Sequence, residues 1–263
     1  MMITSLDNQQ IKDARKLQHR RHRERVGALL IEGTRLVDDA LQSGATIQKL
    51  FYAPTLLVNN EPALALVSRC AAAGIVTIAC AEALFGTLAA TVTPQGVAAI
   101  VTLPVLPFPT PLRFALILDQ VRDPGNAGTL MRTAEAAGID AVIFGPETVD
   151  PFNDKVVRAG MGAHFRLPVR SCATWEAIHA LLAPQQTLYV AQSAAILLYT
   201  DVDWSAPCAL IVGGEATGAS TDTATIAQAI AIPMHSQVES LNAAIAGAVI
   251  LFEAARQRRN AVL

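Results

Sequence analysis

Between residues 104 and 111 the chain reads PVLPFPTP, with proline at 104, 107, 109 and 111. Each proline locks φ at about −65° and removes a backbone donor, so neither a helix nor an inner strand can run through this stretch. Proline at this density favours an extended, semi-rigid connector. The chain is therefore expected to fold as two bodies, residues 1–103 and 113–263, joined by a linker at 104–112.

On both sides of the linker, apolar runs of strand length alternate with segments of helical period. In the first body, ALLIEGTRLVDDALQSGATIQKLFYAP reads strand, turn, helix, strand, IVTIA reads as a further strand, and TPQGVAAIVTL as a turn leading into another. Helices are expected around Leu36 to Leu41, with Gly44 as the stop, and from Ala63 to Ala73, stopped by Gly74. In the second body, FALILD (114–119), DAVIFG, TLYVA, ALIVGG and a short IPM strand alternate with helices. These helices run from Ala127 to Ala137, around Lys155 and Arg158, from Thr174 to Leu182, and through the Ala-rich C-terminus. Ile245, Val249 and Phe252 in the last helix are spaced as a core stripe. Such alternation specifies an α/β architecture with a mostly parallel, helix-covered sheet.

Charge is near balance, at −2, so no overall basicity announces nucleic-acid binding. A local concentration does. Residues 8–25 read as one helix carrying Lys12, Arg15, Lys16, Arg20, Arg21, Arg23 and Arg25, enough cations for several phosphate contacts. A solvated helix face is the plain structural alternative. The four cysteines show no C-x-x-C pair and the five histidines no i,i+4 pair, so neither a disulfide framework nor a metal site is expected. The N-terminus lacks the basic-then-apolar layout of a signal peptide, and no apolar run reaches the ~18 residues of a membrane span. A soluble, cytoplasmic protein is expected.

Loops at the ends of strands in a parallel sheet are where ligands bind. After ALIV comes GGEATG, in which Gly213, Gly214 and Gly218 surround Glu215. After IPM comes a polar turn leading through Ser240 and Asn242 into the last helix. GGEATG is not a phosphate-binding P-loop, because Ala219 stands where the lysine belongs. No G-x-G-x-x-G follows the first strand of either body, and no G-x-S-x-G elbow is present.

Three segments in order, DPGNAGTLMRTAEAAG (123–138), ALIVGGEATG (209–218) and IPMHSQVESLNAAIA (232–246), resemble the three motifs of the SpoU (TrmH-type) RNA ribose 2′-O-methyltransferases of the SPOUT superfamily. PFNDKVVRAGMGAHFRLPV extends the likeness. IEGTRLVDDAL and TPQGVAAIV are similar to the L30e-like RNA-binding domain that precedes the transferase in members acting on large-subunit (23S) rRNA. The resemblance implies a trefoil-knotted sheet domain, a homodimer, and S-adenosylmethionine bound in the knot. It implies Gly213, Ile232 and Leu241 as cofactor-binding residues, largely through backbone groups. Asn126, Arg132, Glu215, Ser240 and Asn242 are the implied catalytic positions. Arg15, Lys16, Arg20, Arg21, Arg23, Lys155 and Arg158 are the candidate RNA contacts. The sequence departs from the family pattern at Ser236, usually glycine, and at Ala243 and Ala244, which replace a common Val-Ser.

The chemistry of these residue types agrees. Methyl transfer from a sulfonium to a hydroxyl is an in-line displacement that needs positioning and the handling of one proton. Arg132, six residues after Asn126 on one helix, is either the base or a ligand for the phosphate beside the attacking hydroxyl. A guanidinium pKa above ~12 weighs against deprotonation. Structural roles stand beside the catalytic ones: an N-cap for Asn126 and for Ser240, and loop N–H satisfaction for Glu215. A tRNA methyltransferase, a ribosome-assembly protein without turnover and an enzyme of antibiotic self-protection fit the same residues.

Overall fold

A computed structural model of the 263-residue chain describes residues 2–89, 93–214, 218–235 and 240–261. The chain forms two compact units. The first comprises residues 1–104 together with Phe152–Phe165, the second Val105–Pro151 together with Arg166–Leu263. No helix among the described residues is long and apolar enough to cross a membrane.

The first unit holds helices α1 (Gln9–Lys16), α2 (Arg20–Val26), α3 (Thr34–Gln42), α4 (Glu61–Ala72) and α5 (Glu82–Leu88). Its strands are β1 (Ala28–Glu32), β2 (Ile47–Tyr52), β3 (Val76–Ala79) and β4 (Val97–Thr102), in sheet order β1-β4-β2-β3. The sheet is mixed: β4 runs antiparallel to both β1 and β2, while β2 and β3 are parallel.

The cationic stretch is two helices, not the single one expected. Leu17, buried, caps α1, and the Arg23 guanidinium donates to the carbonyl oxygens of Leu17 (3.1 Å) and Gln18 (3.0 Å) just beyond it. Helix C-termini leave carbonyls without partners, and a cation there satisfies them. Arg23 is only 5% exposed, so it holds the α1–α2 corner together and is not available to RNA. Arg15, Lys16, Arg20 and Arg21 are exposed.

The segment Phe152–Phe165 lies beyond the linker in sequence but packs with the first unit. It contains α7 (Asp154–Gly160), and Val157 and Phe165 join Leu29, Ile31, Leu36 and Leu66 in one apolar core.

In the second unit the strands are β5 (Phe114–Asp119), β6 (Ala141–Phe144), β7 (Val169–Ser171), β8 (Thr187–Ala191), β9 (Cys208–Gly213) and β10 (Gln228–Ile230), in order β10-β8-β9-β5-β6-β7. Every pairing is parallel. The central strands β5 and β6 are buried along their whole length, as strands covered on both faces must be. Their helices are α6 (Pro124–Ala137), α8 (Trp175–His179), α9 (Thr221–Ile226) and α10 (Ala243–Asn260). The short strand expected at Ile232–Met234 is instead β10, a few residues earlier, and α9 fills the spacer before it.

Helices α6 and α10 approach closely: a Cβ on Gly247 would stand 2.4 Å from Leu130 Cδ2. This contact sets the rotation of α10 and overturns the expected core stripe. Ala244, Gly247, Ile250, Leu251 and Ala254 face inward. Ile245 (53% exposed), Val249 (36%) and Phe252 (51%) face out. In a helix apolar nearly all round, spacing alone cannot choose the buried face.

Candidate active site

Because all six strands run the same way, their C-terminal ends lie along one edge of the sheet. A cavity of about 440 Å³ opens there. One wall is the end of β8 and the loop after it (Val190, Ala191, Gln192, Ser193). The floor is Val212, Gly213 and Gly214 at the end of β9 with Gly218 and Ala219. The remaining wall is Ile230, Ile232, Met234 and the entry to α10, from Ser240 to Ala243.

The glycines of the floor are dictated by space. A Cβ on Gly213 would lie 2.3 Å from the amide nitrogen of Ala219, and one on Gly214 would lie 2.3 Å from the carbonyl oxygen of Gln120. Both atoms are backbone, so neither clash can be relieved by a rotamer change. Gly214 and Gly218 exchange hydrogen bonds of 3.0 Å in both directions. Glu215 lies outside the described residues, as does Ser236.

The polar groups converge at the start of α10. Asn242 is its N-cap: Oδ1 accepts from the amides of Ala244 (2.9 Å) and Ile245 (3.2 Å). Its Nδ2 donates to Asn126 Oδ1 at 3.1 Å, across from α6. The cap of α6 is Asp123, whose Oδ1 accepts from the Asn126 amide at 2.7 Å. Thus neither Asn126 nor Ser240 is the N-cap its sequence position allowed, and the Asn126 side chain is turned toward Asn242. Arg132 is exposed, with no ion-pair partner among the described residues. Six residues on a helix amount to a rotation of about 120°, so Arg132 and Asn126 occupy different faces of α6. The carboxylate one turn beyond Arg132, Glu135, accepts from Arg166 through Nε and Nη2.

The SpoU rRNA Methylase family profile matches residues 113–252, over half of the chain. The chain belongs to the SpoU rRNA methylase family. An MRM3-like substrate-binding domain matches residues 8–99. Among similar proteins, a 23S rRNA (guanosine(2553)-2′-O)-methyltransferase of Bacillus subtilis is 35% identical over 95% of this chain and 97% of its own length. The structure of an AdoMet-bound rRNA methyltransferase from Sinorhizobium meliloti superposes with a TM-score of 0.82 at 33% identity, covering 97% of each chain. The SpoU methyltransferase AviRb from Streptomyces viridochromogenes, in complex with AdoMet, gives 0.81 at 28% identity over 96% of this chain and all of that one. The α/β fold with its parallel sheet is thus that of SPOUT methyltransferases.

Of the positions singled out by likeness to the SpoU motifs, Gly213, Ile232, Leu241, Ser240 and Asn242 line the cavity. Asn126 accepts from Asn242 at the rim, and among the described lining residues neither Asn126 nor Arg132 occurs. Sequence reasoning missed Gln192, Ser193 and Met234. The signal for the first two was available, since TLYVA is a parallel strand beside ALIVG and its exit had to open on the same edge. Of the RNA candidates in the first unit, Lys16 pairs with Asp13 (3.0 Å), Arg20 with Glu24 (2.7 Å) and Arg158 with Asp154 (2.9 Å), while Arg15, Arg21 and Lys155 stand exposed.

Proposed function

We propose that this SpoU family member transfers a methyl group from S-adenosylmethionine to a ribose 2′-hydroxyl of large-subunit (23S) rRNA. The observation that carries the reading is the cavity at the β8–β9–β10 edge. It is formed by the family's second and third motifs, in a chain that superposes over nearly its whole length on an AdoMet-bound rRNA methyltransferase.

The residues present fit the cofactor. The cavity lies in the ~300–1,000 Å³ range of small-molecule sites. Ile230, Ile232, Met234 and Leu241 offer apolar contact for a purine, and Gln192, Ser193 and Ser240 offer polar side chains beside it. Bound there, S-adenosylmethionine supplies an electrophilic methyl carbon on a sulfonium centre. Gly213, Ile232 and Leu241 hold it through their backbone. The Asn126–Asn242 pair ties α6 to the cavity rim, so that RNA placed by one meets the cofactor held by the other. Arg132, exposed and with no ion-pair partner among the described residues, takes the RNA phosphate beside the attacking hydroxyl and orients it for in-line attack. Ser240 lies on the same rim, and Glu215 is assigned to the site by its place in the second motif alone.

Residues 1–103 act as an L30e-like substrate-binding domain, 104–112 as a connector and 113–263 as a trefoil-knotted transferase domain. Arg15, Lys16, Arg20 and Arg21 present charge to RNA. Lys155 and Arg158 join them, since their segment packs on the first unit. The active species is a cytoplasmic homodimer. Leu241, Ile245, Val249 and Phe252 are exposed along one side of α10 and its entry, and an apolar stripe of this kind marks a protein interface.

Incubation of purified protein with rRNA and methyl-labelled S-adenosylmethionine should yield 2′-O-methylated nucleoside on digestion and mass spectrometry. Arg132→Ala should lower the rate about 100-fold with cofactor affinity retained. No transfer by the native protein would overturn the function, and equal rates would overturn the role of Arg132.

A further inference from the structure

Among the described residues, Asp119 and Thr223 are the buried polar side chains of the second unit, and they are bonded to each other. Asp119 ends the central strand β5 and is fully buried. A carboxylate in such a place is costly unless its oxygens are engaged. Its Oδ2 accepts from the Ser220 amide and from Thr223 Oγ1, each at 2.7 Å. Its Oδ1 is buried without a hydrogen-bond partner among the described residues.

Both donors sit at the beginning of α9. Ser220 is the N-cap of that helix, its hydroxyl accepts from Trp175 Nε1 at 3.3 Å, and it lies 3.1 Å from Thr223 Oγ1. The residues next to these donors, Ala219 and Ala224, line the cavity, and so does Gly218. On the other side, Asp119 is the strand partner of Gly213 in the β5–β9 register. Asp119 therefore joins the two sides of the glycine loop: its backbone is paired with the strand that enters the loop, and its side chain grips the helix that leaves it.

Resting on the cofactor assignment above, we infer that Asp119 is a positioning residue for the S-adenosylmethionine site, holding the Gly218–Ala224 wall against Gly213 through its acceptor oxygen. It touches neither reactant. Its effect is confined to the loop, so cofactor affinity depends on it and RNA affinity does not.

Asp119→Leu keeps the side chain's approximate size and removes both acceptor bonds, whereas Asp119→Asn keeps an acceptor oxygen for both donors. The Leu variant should raise the calorimetric Kd and the KM for S-adenosylmethionine about tenfold or more, with the KM for rRNA unchanged. The Asn variant should stay within about threefold of the native protein. A Leu variant that binds cofactor like the native protein overturns the inference, as does a parallel rise in the KM for rRNA. Should the Leu variant fail to fold by near-ultraviolet circular dichroism, Thr223→Val and Thr223→Ser decide. Val should raise the cofactor KM about fivefold and Ser should restore it, and an unchanged KM in Val overturns the inference. Native protein that binds no S-adenosylmethionine overturns it together with the functional reading. Native binding with indifferent variants overturns it alone.

Discussion

The two units put their functional residues on different kinds of support. In the first, the candidate contacts are long cationic side chains on short helices at the surface, several already paired with a neighbouring carboxylate. In the second, the site is a cavity whose floor is backbone packed on backbone, with a fully buried carboxylate behind it. A surface of mobile charges binds a polyanion by summed, screened contacts, and any one is dispensable. A floor in which two backbones are too close for a Cβ tolerates no added atom. Sensitivity to substitution should therefore differ by orders of magnitude between the units.

The largest effect tests the rigid half. Gly213→Ala places a methyl against the Ala219 amide, and relief requires moving the loop, at about 3 kcal/mol. Cofactor affinity should fall about 100-fold, while Gly138→Ala, with positive φ but open space around it, should leave binding intact and cost only about 1 kcal/mol of stability. Near-native cofactor binding by Gly213→Ala would dissolve the contrast between the units. Next comes the outward stripe of α10. Phe252→Glu should shift the protein toward monomer by light scattering, weakening association at least about tenfold, and an unchanged mass would assign that stripe to another partner.

Smaller effects sharpen the charged half. Arg21→Ala should weaken RNA binding by severalfold and lower the slope of log K against log salt by about 0.7–0.9, one phosphate contact. Arg23→Ala should leave that slope alone and cost about 2 kcal/mol in urea denaturation, because two buried or half-buried carbonyls lose their donor. Reversal of those two outcomes would mean that the α1–α2 corner is read wrongly. The smallest effect concerns Glu253 on α10, whose carboxyl is pulled down to about 2 by hydrogen bonds from Arg256 and Gln257. A depressed carboxyl pKa stabilises the fold above its unfolded value near 4.5, and that contribution disappears as pH falls toward 2. Glu253→Gln should cost about 1 kcal/mol at pH 7 and nothing near pH 2. An equal cost at both pH values would show that charge is not what holds that pair.

Much of this was legible in the residues. FALILD and TLYVA became strands at the expected residues, because uninterrupted apolar runs bounded by turn residues have one stable use in a parallel sheet. Gly44, Gly74 and Gly138 follow their helices at positive φ as C-terminal stops. Gly213, Ile232, Leu241, Ser240 and Asn242 were named from the motifs and line one cavity. Other expectations failed for definite reasons. Arg23 looked like its neighbours, yet its guanidinium closes a helix corner that no composition announces. Asn126 looked like a cap, but Asp123 lies one turn earlier and has the better geometry for it. Ile245, Val249 and Phe252 had a core's spacing on a helix whose other side, containing Gly247, could approach α6 more closely.

By itself, the sequence determined the α/β class of the chain, the family and the order of its motifs. These depend on local backbone preference and on patterns continuous along the chain. Only the tertiary structure decided which face of α10 is inside, that residues 152–165 pack with the first unit, and that Asp119 meets Ser220 and Thr223 a hundred residues away. Each of these depends on which surfaces fit closely enough to exclude water, a property of pairs of elements that no single stretch of sequence contains.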